Sequence, residues 1–158
     1  MSSSAAALSA AKANLVSALQ SLFGDPVLVS YGVSQDLPDD LIEVLDVTSV
    51  EAEGPFSPLR RRDHSFTVNG IISCYRGGGA EVQQTVTERA LSMLASLADY
   101  LQDSGTSNST HVSLGNSVVW ARLTSWTLHE ADGDSEDEDV TNGRTTAIEF
   151  TISGLIRA

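Results

Sequence analysis

The segment from Arg60 to Leu101 constrains the fold of this 158-residue chain more than any other part of it. Polar and apolar residues alternate from His64 to Arg76, which predicts a β-strand with one buried face. Gly77–Gly79 follows as a turn, and apolar residues spaced three and four apart then predict a helix from about Ala80 to Asp103. No nucleophile, metal cluster or acid–base pair accompanies this scaffold, which favours an assembly or binding role over an enzyme.

Similar patterns on either side complete the domain. We predict a helix over residues 4–23, whose buried stripe is Leu8, Ala11, Leu15, Leu19 and Leu22. Further strands are expected at 27–31, 41–50, 112–130 and 144–157, and an interruption of the third at Gly115-Asn116 is the alternative. Trp120 and Trp126 are expected on one face, and the last two strands are expected to form an antiparallel hairpin. This order predicts an α+β fold: a mainly antiparallel sheet of four to five strands with two main helices packed on it. The length fits a single domain, 1–158, with mobile loops near 53–62 and 130–143.

The charge of the chain is strongly negative and unevenly distributed. The formal net charge is −12, and seven of the 21 acidic residues lie between Glu130 and Asp139. Lys12 is the only lysine. Phosphate contacts require clustered cations, so we expect no specific nucleic-acid binding. The chain lacks an apolar run of about 18 residues, so no membrane span is expected either. The single cysteine, Cys74, rules out an internal disulfide and suits a reducing compartment.

The acidic run has two interpretations. An EF-hand loop that began at Asp132 would need glycine at its sixth position and glutamate at its twelfth. The sequence DGDSEDEDVTNG has Asp137 and Gly143 at these positions, so it does not match the calcium-binding pattern. A solvated hairpin tip is the simpler interpretation, because neighbouring like charges repel one another. A contact with a basic partner surface is the functional alternative, with Asp134, Glu136, Asp137 and Glu138 as candidate residues.

The remaining polar and reactive residues suggest no chemistry. The three glycines match neither phosphate-binding pattern, so we interpret them as a turn. His64, His111 and His129 are too far apart in sequence for a ligand motif, and we expect His64 and His129 to be exposed at strand ends. Cys74 has the inward phase of its strand and is expected to be a buried apolar residue. We therefore expect no catalytic residue, no metal site and no cofactor.

Three consecutive arginines, Arg60, Arg61 and Arg62, precede the central strand. They are interpreted equally well as a solvated loop end that prevents edge pairing, or as a contact across a subunit boundary or to phosphate. Within one chain, the same arginines could also neutralise part of the acidic tip.

The chain resembles the tail terminator proteins of long, non-contractile-tailed (siphovirus-type) phages of actinobacteria. Four stretches carry the resemblance: RRRDHSFTVNGIISCYRGGG, the helix that begins near EVQQTVTERA, SVVWARLTSWTL and GRTTAIEFTISGLIRA. It covers roughly residues 8–158 through element order and local pattern, without a short catalytic motif.

The resemblance implies a structural role in the virion. Proteins of this family form a hexameric ring on the head-proximal end of the tail tube, end tube polymerisation and present a surface to the head–tail connector. The expected partners are therefore further copies of the chain, the tail tube protein and connector proteins. The expected location is the host cytoplasm during assembly and then the virion tail. A neck connector or tail-completion protein, or more distantly a small ligand-binding α+β domain, are the alternatives.

Overall fold

The computed structural model describes residues 3–51, 63–102, 111–132 and 143–157. Within these ranges, two helices and five strands follow one another. They are α1 (Ser3–Phe23), β1 (Leu28–Tyr31), β2 (Asp40–Glu51), β3 (Asp63–Arg76), α2 (Gln83–Leu101), β4 (Trp120–Asp132) and β5 (Arg144–Arg157). A single 3₁₀ turn, Ala80–Val82, leads into α2.

The strands form one sheet in the order β1-β2-β3-β5-β4. Only the β1–β2 pair is parallel, and every other neighbouring pair is antiparallel. Both helices pack on the same face of this sheet, with α1 on β1, β2 and β5 and α2 on β3, β5 and β4. The predicted α+β fold, with a mainly antiparallel sheet and two main helices, is therefore confirmed.

The core lies between this sheet face and the two helices. The predicted inward face of β3 is buried, as is that of β5, from Thr146 to Ile156. The apolar stripe of α2 is buried from Val86 to Leu101. In α1 the stripe is buried as far as Leu19, whereas Leu22 is 41% exposed, so its predicted place in the stripe was wrong. Phe23, four residues after Leu19, packs against the core in its place.

Two phenylalanines on the central strands each lie opposite a glycine. Phe66 pairs with Gly154, and Phe150 pairs with Gly70. A Cβ atom built on Gly154 would overlap the Trp120 carbonyl oxygen and lie 2.7 Å from the Phe66 ring. These glycines are therefore required by close packing against a ring and the backbone. The turn predicted at Gly77–Gly79 includes Gly78, whose φ is +129°.

The strand predicted over 112–130 begins later than expected. Residues 111–119 form turns, with positive φ at Leu114, Gly115 and Asn116, so an extended strand cannot start before Trp120. The apolar residues of this segment, Leu114 and Val118, are nevertheless buried. The chain turns at Gly115-Asn116, the position of the interruption that was the alternative to a continuous strand.

A β-bulge corrects the predicted placement of the two tryptophans. The register of β4 on β5 shifts between Leu123 and Ser125. Before the shift Trp120 pairs with Leu155, and after it Trp126 pairs with Phe150. Because directly paired residues share a face, Trp126 lies on the helix-covered face and Trp120 on the opposite one. The prediction that both share a face was wrong, since a bulge changes the phase of the alternation.

Replacing Gly154 by alanine is expected to destabilise the fold by about 2 kcal/mol, because the new methyl group has to displace a ring and a backbone carbonyl. Gly77→Ala is the matched control, since a Cβ there meets nothing within 4 Å. Urea denaturation measures both variants. A Gly154→Ala protein as stable as the Gly77→Ala protein would contradict the packing described above.

Candidate interaction surfaces

The charged segments singled out in the sequence join the described fold at opposite ends of the sheet. The candidate residues Arg60, Arg61, Arg62, Asp134, Glu136, Asp137 and Glu138 themselves lie outside the described residues, as do most of the two predicted loops. The basic run joins the fold at Asp63, which pairs with Arg157. The acidic run joins it at Asp132, which pairs with Arg144.

The distance between these two points follows from the length of β3. This strand has 14 residues, from Asp63 beside Arg157 to Arg76 beside Arg144. At about 3.3 Å per residue it spans roughly 40 Å. If the basic and acidic runs of one chain neutralised each other, they would have to reach across most of that length. The geometry therefore favours pairing of the basic run of one chain with the acidic run of another.

A cluster of hydrogen bonds fixes the base of the acidic hairpin to α2. The Thr87 hydroxyl donates to Glu130 Oε1 at 2.6 Å and lies 2.9 Å from the hydroxyl of Thr146, which is fully buried. Gln83 Nε2 donates to both threonine hydroxyls, at 3.2 and 3.1 Å. Glu130 is thus part of β4 and bound to the helix. The strand continues to Asp132, two residues beyond its predicted end at 130, and the rest of the predicted loop, up to residue 142, lies outside the described residues.

A buried carboxylate that the sequence did not reveal joins three elements. Asp40, at the start of β2, is 5% exposed. Arg76 at the end of β3 donates to it from two nitrogens, at 2.9 and 3.3 Å, and Arg89 of α2 donates from Nε at 3.1 Å. The two arginines are separated by 13 residues in sequence, so no local spacing announces the cluster. It attaches α2 to the same sheet end from which the acidic hairpin emerges.

The two arginines keep Asp40 ionised. Burial by itself raises the pKa of this carboxyl, but hydrogen bonds and charge attraction from Arg76 and then Arg89 outweigh it, so the pKa lies below its ordinary value of 3.8. The hydrogen bond to Asp40 in turn raises the pKa of Arg76. The cluster is therefore charged at neutral pH.

The sheet face away from the helices is covered by no described element over most of its area. Hydroxyl groups predominate on it: Thr151 donates to Asn69 at 3.0 Å, and the hydroxyls of Thr124 and Ser153 lie 2.9 Å apart. Near one end of this face lies a largely apolar cavity of about 380 Å³. Its lining includes Leu37, Leu41 and Tyr75, of which Leu37 is 86% exposed.

The structure contradicts the prediction for one histidine and confirms that the cysteine is buried. His64 is 4% exposed, and its Nδ1 has no hydrogen-bond partner among the described residues, so the expectation of an exposed strand end was wrong. The inward phase of β3 carries this side chain into the core. His129 is exposed as expected and lies 3.7 Å from Glu149. Cys74 is fully buried beside Met93, and burial raises the pKa of its thiol to about 12.

The described ranges contain neither a metal-binding cluster nor a membrane-spanning helix. No group of three or more His, Cys, Asp or Glu residues within 3–51, 63–102, 111–132 and 143–157 is placed to hold a metal ion. Neither of the helices described here is long and apolar enough to cross a membrane.

At neutral pH, Asp40→Asn is expected to lower the free energy of unfolding by about 2 kcal/mol, because two arginines then lose their counter-charge in a partly buried site. The depressed pKa of Asp40 stabilises the folded state above the ordinary carboxyl value. That contribution is lost as the pH falls below 3.8 and through the folded-state pKa.

Denaturation at pH 7 and pH 3 measures this effect, with Asp99→Asn on the exposed side of α2 as the control. The difference in the free energy of unfolding between the wild type and Asp40→Asn should be smaller at pH 3 than at pH 7. A difference of the same size at both pH values would contradict the ionised Asp40 described above. So would an equal loss of stability in the Asp99→Asn control.

Comparisons with known proteins place the chain in no family. No family model matches it, and no curated protein matches it. Among solved structures it is similar to a chain from the "virion of native gene transfer agent (GTA) particle", with 14% sequence identity over 100% of both chains and a TM-score of 0.40. A similarity of this size assigns no function, which has to be argued from the chain itself.

Proposed function

We propose that the chain is a structural virion protein that caps the head-proximal end of a phage tail tube as a ring of six copies. In this role it ends tube polymerisation and provides the surface to which head–tail connector proteins attach. The sequence resemblance over residues 8–158 supports the family, and the helix–strands–helix–hairpin order it relies on is present in the fold. The proposal includes no catalysis and no cofactor.

The observation that carries the proposal is the separation, along one sheet, of the two points at which the oppositely charged sequence segments join the described fold. The arginine run joins the fold at Asp63 and the acidic run at Asp132, about 40 Å apart by strand length. A ring requires heterologous interfaces, in which two different patches of the same subunit meet head to tail. Oppositely charged segments that join the sheet at its opposite ends are suited to provide two such patches.

Several charges on each side strengthen such a contact. A single exposed ion pair contributes only about 0–1 kcal/mol, but three arginines facing four carboxylates form a network whose members share the cost of ordering. The contact also fixes how neighbouring subunits are oriented, because two ends that carry the same charge repel each other. The acidic run of one subunit therefore has two suitable partners: the arginine run of its neighbour or a basic surface of the connector.

Reversing the charge of either segment is expected to prevent ring formation. The basic-to-acidic variant replaces Arg60, Arg61 and Arg62 by glutamate, and the acidic-to-basic variant replaces Asp134, Glu136, Asp137 and Glu138 by lysine. Light scattering in the presence of tail tubes, and attachment of heads to those tails, measure the effect. Each variant alone should give no ring and no head attachment, because every interface then joins like charges.

Mixing the two variants in equal amounts is the matched control. Acidic and basic subunits then alternate, which satisfies every interface of a ring with an even number of subunits. Rings should return in the mixture. Wild-type ring formation by either single variant would contradict the proposed contact, and a chain that never binds tail tubes would contradict the proposed function.

A further inference from the structure

The loop between β1 and β2 forms one wall of the apolar cavity on the open sheet face. Three hydrogen bonds hold this loop on the sheet: Gly32 N–H donates to the Val44 carbonyl at 2.8 Å, Ser34 N–H to a carboxylate oxygen of Glu43 at 2.9 Å, and Tyr75 N–H to the Asp39 carbonyl at 2.8 Å. Because the wall is attached to both β2 and β3, the cavity is part of the folded subunit.

The cavity is suited to an apolar side chain. Leu41, which forms part of its lining, is 2% exposed, whereas Leu37 and Tyr75 at its margin are largely open to solvent. Its volume of about 380 Å³ lies within the range of about 300–1,000 Å³ that is usual for ligand pockets. An exposed leucine beside a preformed apolar cavity leaves water when a partner side chain enters, and this burial favours binding.

The surroundings of the cavity are negatively charged. Glu43 lines it, and Asp36 and Asp39 belong to the loop that forms its wall. Arg76, the cation at this end of β3, is already bound to the buried carboxylate of Asp40. Such a site favours an apolar group that has positive charges next to it, because opposite charges attract across an interface.

Of the three internal segments outside the described residues, one combines large apolar side chains with cations. The segment 52–62 reads AEGPFSPLRRR, with two large apolar residues ahead of the arginine run. The segment 103–110 has neither a cation nor a large apolar residue. The segment 133–142 precedes Gly143, which lies against Tyr75, but it has five acidic residues and a single valine. Its charge has the same sign as that of the cavity, so it is the wrong occupant.

The two large apolar side chains of the segment 52–62, Phe56 and Leu59, cannot reach the cavity of their own chain. The segment is bounded by the end of β2 at Glu51 and the start of β3 at residue 63. Phe56 is five residues from the first of these ends, which places it within about 18 Å, and Leu59 is only four residues from the second. The cavity residue Ser73 lies ten residues along β3 from the start of that strand, about 33 Å away. Only the segment of another copy can therefore bring these side chains to the cavity.

We propose that this cavity binds the segment 52–62 of a second copy of the chain, with Leu59 inside it and the arginine run against the acidic residues around it. The inference rests on the proposed function and deepens it, because it assigns a binding site to the arginine run of the neighbouring subunit. The cavity lies at one end of β3 and the segment joins the fold at the other. Each subunit therefore receives the segment of one neighbour and gives its own to the next, which is the heterologous contact that a closed ring needs.

Apolar burial and charge contribute differently to this contact. Exposed ion pairs are individually weak, so arginines alone would bind many acidic surfaces without selecting one. An apolar side chain that fills a cavity supplies affinity, and the arginines beside it fix the direction in which the segment enters. Loss of the apolar residues should therefore weaken the contact even when every charge is kept.

The test titrates a synthetic peptide of residues 52–62 into the isotope-labelled full chain and follows the backbone amide signals. Leu37→Ala should weaken peptide binding at least about tenfold, because an apolar contact is lost from the cavity margin. Val33→Ala is the matched control, since Val33 belongs to the same loop and is similarly exposed but does not line the cavity. It should bind the peptide as the wild type does.

A second peptide, with Phe56→Ser and Leu59→Ser, keeps the three arginines and separates apolar burial from charge. It should bind at least about tenfold more weakly than the natural peptide. Equal binding of the two peptides, or equal binding by Leu37→Ala and Val33→Ala, would overturn the proposal. So would the absence of binding at millimolar peptide, or amide shifts confined to residues outside the cavity and its wall.

Ring formation on tail tubes distinguishes this contact from the proposed function. A full chain with Phe56→Ser and Leu59→Ser that forms rings as well as the wild type would overturn the cavity contact and leave the proposed function intact. A wild-type chain that binds the peptide as described, but never caps a tail tube, would contradict the proposed function and support the cavity contact.

Discussion

The pairing of β3 with β5 is the constraint on which the rest of the structure depends. It joins 14 residue pairs without a register shift, from Asp63 and Arg157 at one end to Arg76 and Arg144 at the other. Two Phe–Gly pairs lock this register, because each ring occupies the space that a side chain on its partner would need. Every other strand and both helices take their positions from this pair. Its length also sets the distance between the points where the charged segments emerge.

Two polar clusters lie at one end of that ladder. The Asp40 cluster attaches α2 to the ends of β2 and β3, and the threonine cluster attaches it to the base of the β4–β5 hairpin. Both attach α2 to the strand ends from which the acidic segment continues, although they use different chemistry. The point at which this segment joins the fold is thus held by several polar contacts. The function proposed for the chain follows from this placement rather than from any reactive group.

The sequence predicted the fold class and the buried faces well, because alternation along β3 and β5 and the apolar stripe of α2 are strong local signals. It failed where the outcome depends on contacts distant in sequence. The bulge in β4 separated Trp120 from Trp126, and nothing in the alternation marks an extra residue. Asp40 is an ordinary polar residue in sequence and becomes a core residue only because Arg76 and Arg89 converge on it. His64 is buried because its position in the alternation of β3 faces the core, although histidine at a strand end is more often exposed.

The central claim is that this chain forms a ring between the tail tube and the head connector. An electron cryomicroscopy reconstruction of assembled particles, with the chain labelled by an antibody fragment or a fused domain, tests it most directly. The account predicts one ring of six copies at the head-proximal end of the tube, with oppositely charged ends of neighbouring subunits in contact. Label at any other position, or particles whose tails terminate normally without the chain, would contradict it.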